Sequence, residues 1–430
     1  MHSPISFAVF WGLLLVVTNS ISSQTPADWT FRAQRPEIEP KHWSENDFKY
    51  RGQNTLVIAG DKGGLDNGSW VNQFDVQGAS FVRFSCAYYS RFVDEPGRSI
   101  LTTMIWKDNG GKQIGAKEFP HFSGEQEDGW SLFDQTYQVP ETAASVEVEL
   151  TYRWDGDGKV YFAFPQIETV DQIPAREVTL AAIHHRPVKS TLAQNLKEFG
   201  DLAAQAGDRG ADIVCLPEGI TLVGTTSKYT EIAESVPGPT TEYLGNIARS
   251  KKMYIVAGLI ESDGDAVYNT AVLLNRNGEL AGKYRKVCLP REEIEGGVTP
   301  GTDFPVFDTD FGKIGIMVCW DVSFPEPARQ LAMQGAEIIL LPIWGGNINL
   351  AKARAIENQI YLVSSTYDMR TGIFDLEGNL VSEGTEEDPI AIITVDLNQQ
   401  KLWPWLGEFK NRIWQEMPAQ KAMQSHLENR

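Results

Sequence analysis

Ala211-Asp212-Ile213-Val214-Cys215-Leu216-Pro217-Glu218 is an apolar run that stops on a carboxylate. Upstream, Leu192, Leu196, Phe199 and Ala203 recur at the spacing of one helix face, and Ala182 and Ile183 end a shorter apolar run before them. Strand, helix and buried strand in that order predict an α/β unit. The alternation continues. Helical patterns around Thr241 to Ser250, Pro325 to Gln334 and Asn349 to Asn358 lead into Tyr254 to Leu259, Ile338 to Leu341 and Tyr361 to Ser364. Turn residues at Asn275-Arg276-Asn277-Gly278 and Leu376-Glu377-Gly378-Asn379 add antiparallel hairpins, so a mixed sheet is expected.

The residues before this region are punctuated differently. Between Thr25 and about Glu168, short alternating apolar and aromatic runs are broken by Gly, Asn and Asp. Phe81 to Phe84, Ile100 to Trp106 and Val146 to Leu150 read as strands, which together fit an all-β sandwich. Trp29, Trp43, Trp70, Trp106, Trp130 and Trp154 lie here, and most are expected in its core. Asp108-Asn109-Gly110-Gly111 and Asp155-Gly156-Asp157-Gly158 read as turns. The second could bind calcium, but it lacks the further spaced carboxylates of an EF-hand loop, so a hairpin turn is preferred. Asn67-Gly68-Ser69 fits both a glycosylation triplet and a hairpin turn, and decides nothing.

The chain has 430 residues, with 38 Lys or Arg against 57 Asp or Glu, a net charge of −19, 42% apolar and 22% charged residues. Disorder and collagen are excluded by that composition. At about 150 residues per domain, two or three domains are expected. A surface this acidic is repelled by a phosphate backbone and by anionic lipid, so nucleic acid is not an expected partner. Ile5 to Val17 is an apolar run too short to cross a bilayer, followed by Ser20, Ser22 and Ser23. It reads as a signal peptide, although His2 stands where a Lys or Arg is usual. The mature chain is expected to be secreted or periplasmic, with no membrane span. The expected divisions are 1–24 leader, 25–168 β-sandwich, 176–396 α/β domain and 397–430 tail. Cys86, Cys215, Cys288 and Cys319 show no C-x-x-C spacing, and neither a disulfide scaffold nor a zinc site is indicated.

Three strand ends in the second half carry reactive groups: Glu218, Lys286 and Cys319. A free thiol is mostly protonated at neutral pH and needs a base. Histidine is thinly supplied, since only His184 and His185 lie inside this half. A carboxylate near the thiol with a cation beside it is the other arrangement, and Glu218 and Lys286 supply both. On chemistry alone a core cysteine, a solvated lysine and a helix-start glutamate remain open.

Leu216-Pro217-Glu218, Lys286-Val287-Cys288-Leu289-Pro290 and Cys319-Trp320-Asp321-Val322-Ser323-Phe324-Pro325-Glu326, in that order, resemble the three signatures of the nitrilase (carbon-nitrogen hydrolase) superfamily. Ala353 to Gln359 resembles the helix that follows the nucleophile. The resemblance covers about Arg176 to Asp396. It implies an α-β-β-α sandwich, a Glu-Lys-Cys triad of Glu218, Lys286 and Cys319, and neither metal nor cofactor. It also implies a backbone oxyanion donor at Trp320 and a second glutamate at Glu293, with Glu292 and Glu295 as close rivals. Two residues depart from the pattern: Cys288 replaces a frequent His, and Ser323 stands in the substrate pocket where many amidases and carbamoylases carry Arg. Less specifically, residues 25–168 resemble jelly-roll carbohydrate-binding or galactose-binding-like modules.

Cys319-Trp320-Asp321 with Phe324-Pro325-Glu326 is closer to the amidase and carbamoylase branches than to nitrilases. The expected function is therefore that of an exported amidase acting on a small-molecule amide. A true nitrilase and a glycan-binding protein with an inactive hydrolase scaffold are the alternatives. A glycan through the N-terminal half, or a structural appendage there, and further copies of the chain are the other expected partners. Because Ser323 replaces the arginine, a neutral or cationic amide is expected over one with a carboxylate, unless Lys352, Arg354 or Arg370 supplies the missing cation.

Overall fold

The computed structural model describes residues 25–171, 173, 175–399, 402–403, 407–408, 410 and 415–416. The expected leader, 1–24, and most of the expected tail lie outside them. The described residues form two compact units, one of those before 175 together with those from 402 on, the other from 175 to 399.

The second unit contains two six-stranded mixed sheets. The first runs Leu280–Arg285, Ala266–Leu274, Tyr254–Asp263, Ile213–Cys215, Glu177–Ile183, Ile390–Asp396 across the sheet. The second runs Val306–Asp308, Lys313–Ile316, Ile338–Ile343, Tyr361–Thr366, Thr371–Phe374, Leu380–Gly384. In each, neighbouring central strands are parallel and the flanking ones antiparallel. Strands covered on both faces read as continuous apolar runs, which is why Ile213-Val214-Cys215 and Ile338 to Ile343 are wholly buried. Leu180, Ile213 and Val256 of one sheet share a core with Ile314, Ile338 and Val363 of the other.

The predicted helices are present and cover the remaining faces. Leu192–Asp208 starts at Thr191, whose hydroxyl accepts the Gln194 N–H. Its Phe199 and Ala203 pack on Val214 and Ile255, with Leu244 and Ala248 of helix Pro239–Lys251 beside them. Ala328 and Leu331 of Pro325–Met333, and Ala351 and Ala355 of Ile348–Asn358, pack on Ile339 and Leu362 of the other sheet.

One strand runs past its expected end at Leu259, to Asp263. Glu261 interrupts the apolar run, yet it is buried. Lys283 Nζ at 2.5 Å, Arg285 Nη2 at 2.7 Å and the Thr270 hydroxyl at 2.7 Å come from the next strands and compensate its charge. Such compensation is invisible along the chain.

The first unit is antiparallel throughout its two main sheets. Thr30–Ala33, Asn67–Asp75, Ser145–Arg153 and Ile100–Lys107 form one, and Lys41–Tyr50, Gln53–Ala59, Lys159–Phe162, Phe81–Arg91, Ser131–Gln138 and Phe122–Glu125 the other, with Gln166–Val170 also on Phe81–Arg91. Trp70, Met104, Trp106 and Val148 of the first meet Phe84, Phe133 and Phe162 of the second in one core. Of the six tryptophans, Trp29, Trp70, Trp106 and Trp130 are buried.

One turn reading is corrected. Asp155 to Gly158 connects strand Ser145–Arg153 of one sheet to Lys159–Phe162 of the other, so it is no hairpin. The Asp155 carboxylate accepts the Asp94 and Gly158 N–H groups and the Tyr152 hydroxyl, which makes it the fastener of that crossover. Asn67-Gly68-Ser69, left open by the sequence, opens a strand, and a Cβ at Gly68 would lie 2.6 Å from the Phe31 ring. Among the described residues no cluster of three or more His, Cys, Asp or Glu is arranged to hold a metal. No described helix is long and apolar enough to cross a membrane.

Candidate active site

Three chain segments deliver the three reactive groups to one place. After Ile213–Cys215 the chain leaves the sheet through Leu216-Pro217 and presents Glu218, 4% exposed. The neighbouring strand passes so close that a Cβ at Gly258 would lie 2.6 Å from the Glu218 Cα, so this strand position must be glycine. After Leu280–Arg285, Lys286 enters the interior, 1% exposed, its backbone N–H held by the Asn269 carbonyl at 2.9 Å. After Lys313–Ile316 the chain makes the turn Cys319–Ser323. Cys319 opens this turn with φ +45, a left-handed backbone that costs about 1–3 kcal/mol in a non-glycine residue.

Lys286 Nζ donates to Glu218 Oε1 at 2.9 Å and to Glu293 Oε1 at 2.6 Å. Asn269 Nδ2 donates to the same two oxygens, at 2.7 Å and 3.0 Å. The other Glu218 oxygen accepts the Trp344 backbone N–H at 2.9 Å. Tyr367 donates its hydroxyl to the Glu218 carbonyl at 2.8 Å, fixing the backbone as well. Among the described residues Glu293 Oε2 has no hydrogen-bond partner. Of the three neighbouring glutamates, Glu293 is the one turned inward; Glu292 is exposed and Glu295 pairs with Arg291.

Burial works against the Lys286 charge, but the charges of Glu218, Cys319 and Glu293 outweigh it and hold the ammonium above the ordinary lysine range. Glu293 is pushed up, first by burial, with Lys286 opposing and Glu218 adding to the shift. Burial also pushes the Cys319 thiol up, and the Glu218 carboxylate within hydrogen-bonding reach adds to this against the pull of Lys286. The Cys319 sulfur and the Glu218 carboxyl group thus face each other within hydrogen-bonding reach. A proton can therefore pass from sulfur to Glu218 as the sulfur attacks an electrophile.

A cavity of about 440 Å³ opens on these groups, lined by Glu218, Gly219, Leu222, Tyr229, Ile260, Asn269, Pro290, Glu292, Glu293, Cys319 and Trp344. Ser323, at the end of the turn Cys319–Ser323, is half-buried and outside this lining. The Trp320 side chain points away, 44% exposed against Phe324. Its backbone N–H is at the second position of a short helical turn, where a donor has no acceptor within the turn.

Asn269, Trp344, Tyr367 and Tyr229 were not singled out by the sequence. The first three are a strand amide, a backbone N–H and a strand-end phenol whose partners lie far along the chain. Asp321 was quoted only as part of a motif. In the structure its buried carboxylate accepts Val318 N–H at 2.8 Å, Cys288 N–H at 2.9 Å and the Tyr284 hydroxyl at 2.8 Å. Burial raises this carboxyl above the usual range, with the two N–H groups and the hydroxyl opposing. Asp321 thus ties the Lys286 segment to the turn Cys319–Ser323. Asp321→Asn places an amide NH₂ against donors and is expected to cost about 1–3 kcal/mol of stability. Displacing sulfur from ammonium should also lower turnover about 100-fold. Thermal unfolding and turnover on one preparation check this; full turnover at reduced melting temperature would leave Asp321 a stability role alone.

A sequence model of the family described as carbon-nitrogen hydrolase matches residues 179–405. A protein named nitrilase from Pyrococcus abyssi is 38% identical over 198 residues, covering 44% of this chain and 74% of that protein. An omega-amidase of Mus musculus is 31% identical over 255 residues, 53% of this chain and 89% of that protein. Among solved structures, an amidase from Nesterenkonia sp. is similar at 24% identity and a TM-score of 0.46, over 53% of this chain and 95% of that one.

Proposed function

Because the chain belongs to the carbon-nitrogen hydrolase family of the nitrilase superfamily, we propose that it is an amidase, cleaving a non-peptide amide through a thioester on Cys319. The observation that carries this reading is the buried Glu218–Lys286–Glu293 cluster beside the thiol, in a cavity sized for a small substrate. Cys319 sulfur bonds to the amide carbon while its proton passes to Glu218. The carbonyl electrons move to oxygen, where the Lys286 ammonium and the Trp320 N–H face the charge as it forms. The carbon–nitrogen bond then breaks, Glu218 gives its proton to the departing nitrogen, and an acyl-thioester remains. Water, deprotonated by Glu218, attacks the thioester; the sulfur leaves and recovers the proton, and a carboxylic acid is released. Glu293 shares the Lys286 ammonium and offers its unpartnered oxygen to the substrate nitrogen. No step requires a metal or cofactor.

The layering of residues 176–396, with two sheets sharing a core and helices against their other faces, supports an α-β-β-α sandwich. The two antiparallel sheets of residues 25–168 support a jelly roll. Export to a secreted or periplasmic location rests on the pattern of residues 1–24 alone. Amide specificity over nitriles rests on Cys319-Trp320-Asp321 and Phe324-Pro325-Glu326. Ammonia release from a panel of amides, carbamoyl compounds and nitriles tests the reading, and turnover of nitriles with no amide cleaved would replace it.

A glycan partner for residues 25–168 has one favourable observation. Trp43, Phe48, Tyr50 and Tyr89 are partly exposed on one face of the larger sheet, with the Arg91 guanidinium 5.4 Å from the Phe48 ring centre and 5.5 Å from that of Tyr89. Aromatic faces with a cation beside them suit a sugar ring bearing acid groups. Retention of the full chain on acidic polysaccharide, lost in Tyr89→Ala, is the expected result; no retention on any glycan would favour a structural role.

A further inference from the structure

We infer that the site takes an amide whose acyl chain carries a positive charge, with Glu292 at the cavity wall as its counter-charge. This inference rests on the amidase reading above. Three carboxylates line it, those of Glu218, Glu292 and Glu293, and among the described residues no Lys or Arg does. Lys286 is committed to Glu218 and Glu293. That leaves Glu292, which has no ion-pair partner among the described residues and is in the first turn of the short helix Arg291–Glu295.

Arg354 and Arg370, two of the cations the sequence offered, are engaged elsewhere. Arg354 is buried and donates to the Val322 carbonyl at 3.2 Å and to Glu357 at 2.8 Å. Arg370 is paired with Glu383. Lys352 is outside the cavity lining, as is Ser323. A substrate carboxylate entering here would meet Glu292 with no cation in the lining to receive it.

The remaining wall favours a cation. Leu222 and Ile260 in the lining are apolar, and Tyr229 and Trp344 are the aromatic residues of the same lining. Rings of this kind attract ammonium groups through their negative faces, and a carboxylate beside them completes the recognition. Tyr229 shares the field of these acids: its hydroxyl is pushed up, chiefly by burial and then by the charges of Glu293, Glu218 and Glu292, with Lys286 opposing. Cys319 and Glu292 line the same cavity of about 440 Å³, so an acyl group on the sulfur and its cation would share one space with this carboxylate.

The test compares three primary amides of equal chain length, ending in an ammonium, a methyl or a carboxylate. For the unaltered chain, kcat/KM should fall about tenfold at each step in that order. Glu292→Gln should bring the ammonium-to-methyl ratio close to one, and Glu292→Lys should invert the order of ammonium and carboxylate. A preference for the carboxylate, or an unchanged ratio in Glu292→Gln, overturns the inference and leaves the amidase reading intact. If no amide is cleaved while a nitrile is, the amidase reading fails instead. Binding of the same three amides to Cys319→Ala, measured by calorimetry, then decides the charge preference separately: tighter binding of the ammonium form supports it and equal binding overturns it.

Discussion

Cys319→Ala is expected to abolish ammonia release while leaving the fold in place. Removing the sulfur removes the atom that forms the thioester, and losing the nucleophile of a cysteine or serine hydrolase costs about 10⁴–10⁶ in turnover. Stability should change by no more than about 2 kcal/mol, because alanine keeps the Cβ and the strained φ of +45 is the same for both residues. The other cysteines are poor substitutes. Cys319 lines the cavity beside Glu218, whereas neither Cys215, which is fully buried, nor Cys288 is part of that lining. Intact-mass measurement during turnover of a variant slowed in deacylation should find one acyl group, on Cys319. An acyl group on Cys215 or Cys288, with Cys319→Ala still active, would remove the nucleophile assignment.

Lys286→Met should be more damaging to the molecule than to binding. Turnover is expected to fall about 100- to 1,000-fold through loss of an oxyanion donor. Stability is expected to fall by about 3–5 kcal/mol, because Glu218 and Glu293 would be left buried against one another with Asn269 alone between them. The pH dependence has a definite sign. Without the ammonium, the folded-state pKa of the carboxyl pair rises above the unfolded value of about 4.3. The folded form then binds protons that the unfolded chain has released. Stability is therefore greatest below about pH 4.3 and is lost as pH rises through the raised folded value. The gap in melting temperature between variant and parent should narrow on going from pH 8 to pH 5. Glu218→Gln keeps a paired Lys286–Glu293 and should lose turnover with a smaller stability loss and little change in KM. A pH-independent gap for Lys286→Met, or normal turnover with only a raised KM in either variant, would contradict the placement of these charges.

Elements whose period is uninterrupted were legible along the chain. Leu192–Asp208 could be read from Leu192, Leu196, Phe199 and Ala203 because one helix face must be apolar to meet a sheet. Strands Ile338–Ile343 and Tyr361–Thr366 are apolar on both faces because both are covered. Where a charge is buried the reading stopped too soon: Glu261 ended a strand on paper and continues it in the structure, paired with Lys283 and Arg285. The Asp155 turn was misjudged for a related reason, since whether two successive strands pair depends on which sheet each joins. Residues 25–168 carried no motif, only alternation, so their sheets could be anticipated and their strand order could not.

The sequence by itself determined the succession of strands and helices in the second half and the three short segments that hold Glu218, Lys286 and Cys319. These are local properties, set by side-chain period and by residue types adjacent in the chain. Only the tertiary structure decided that Glu293 and not Glu292 meets Lys286, and that Asn269 bridges the two buried carboxylates. It likewise decided that Asp321 ties the nucleophile turn to the lysine segment, and that Arg354 and Arg370 are engaged away from the cavity. The physical reason is the same in each case. A buried polar group must find its partner wherever the folded chain brings one, and a partner dozens of residues away leaves no mark in the local pattern.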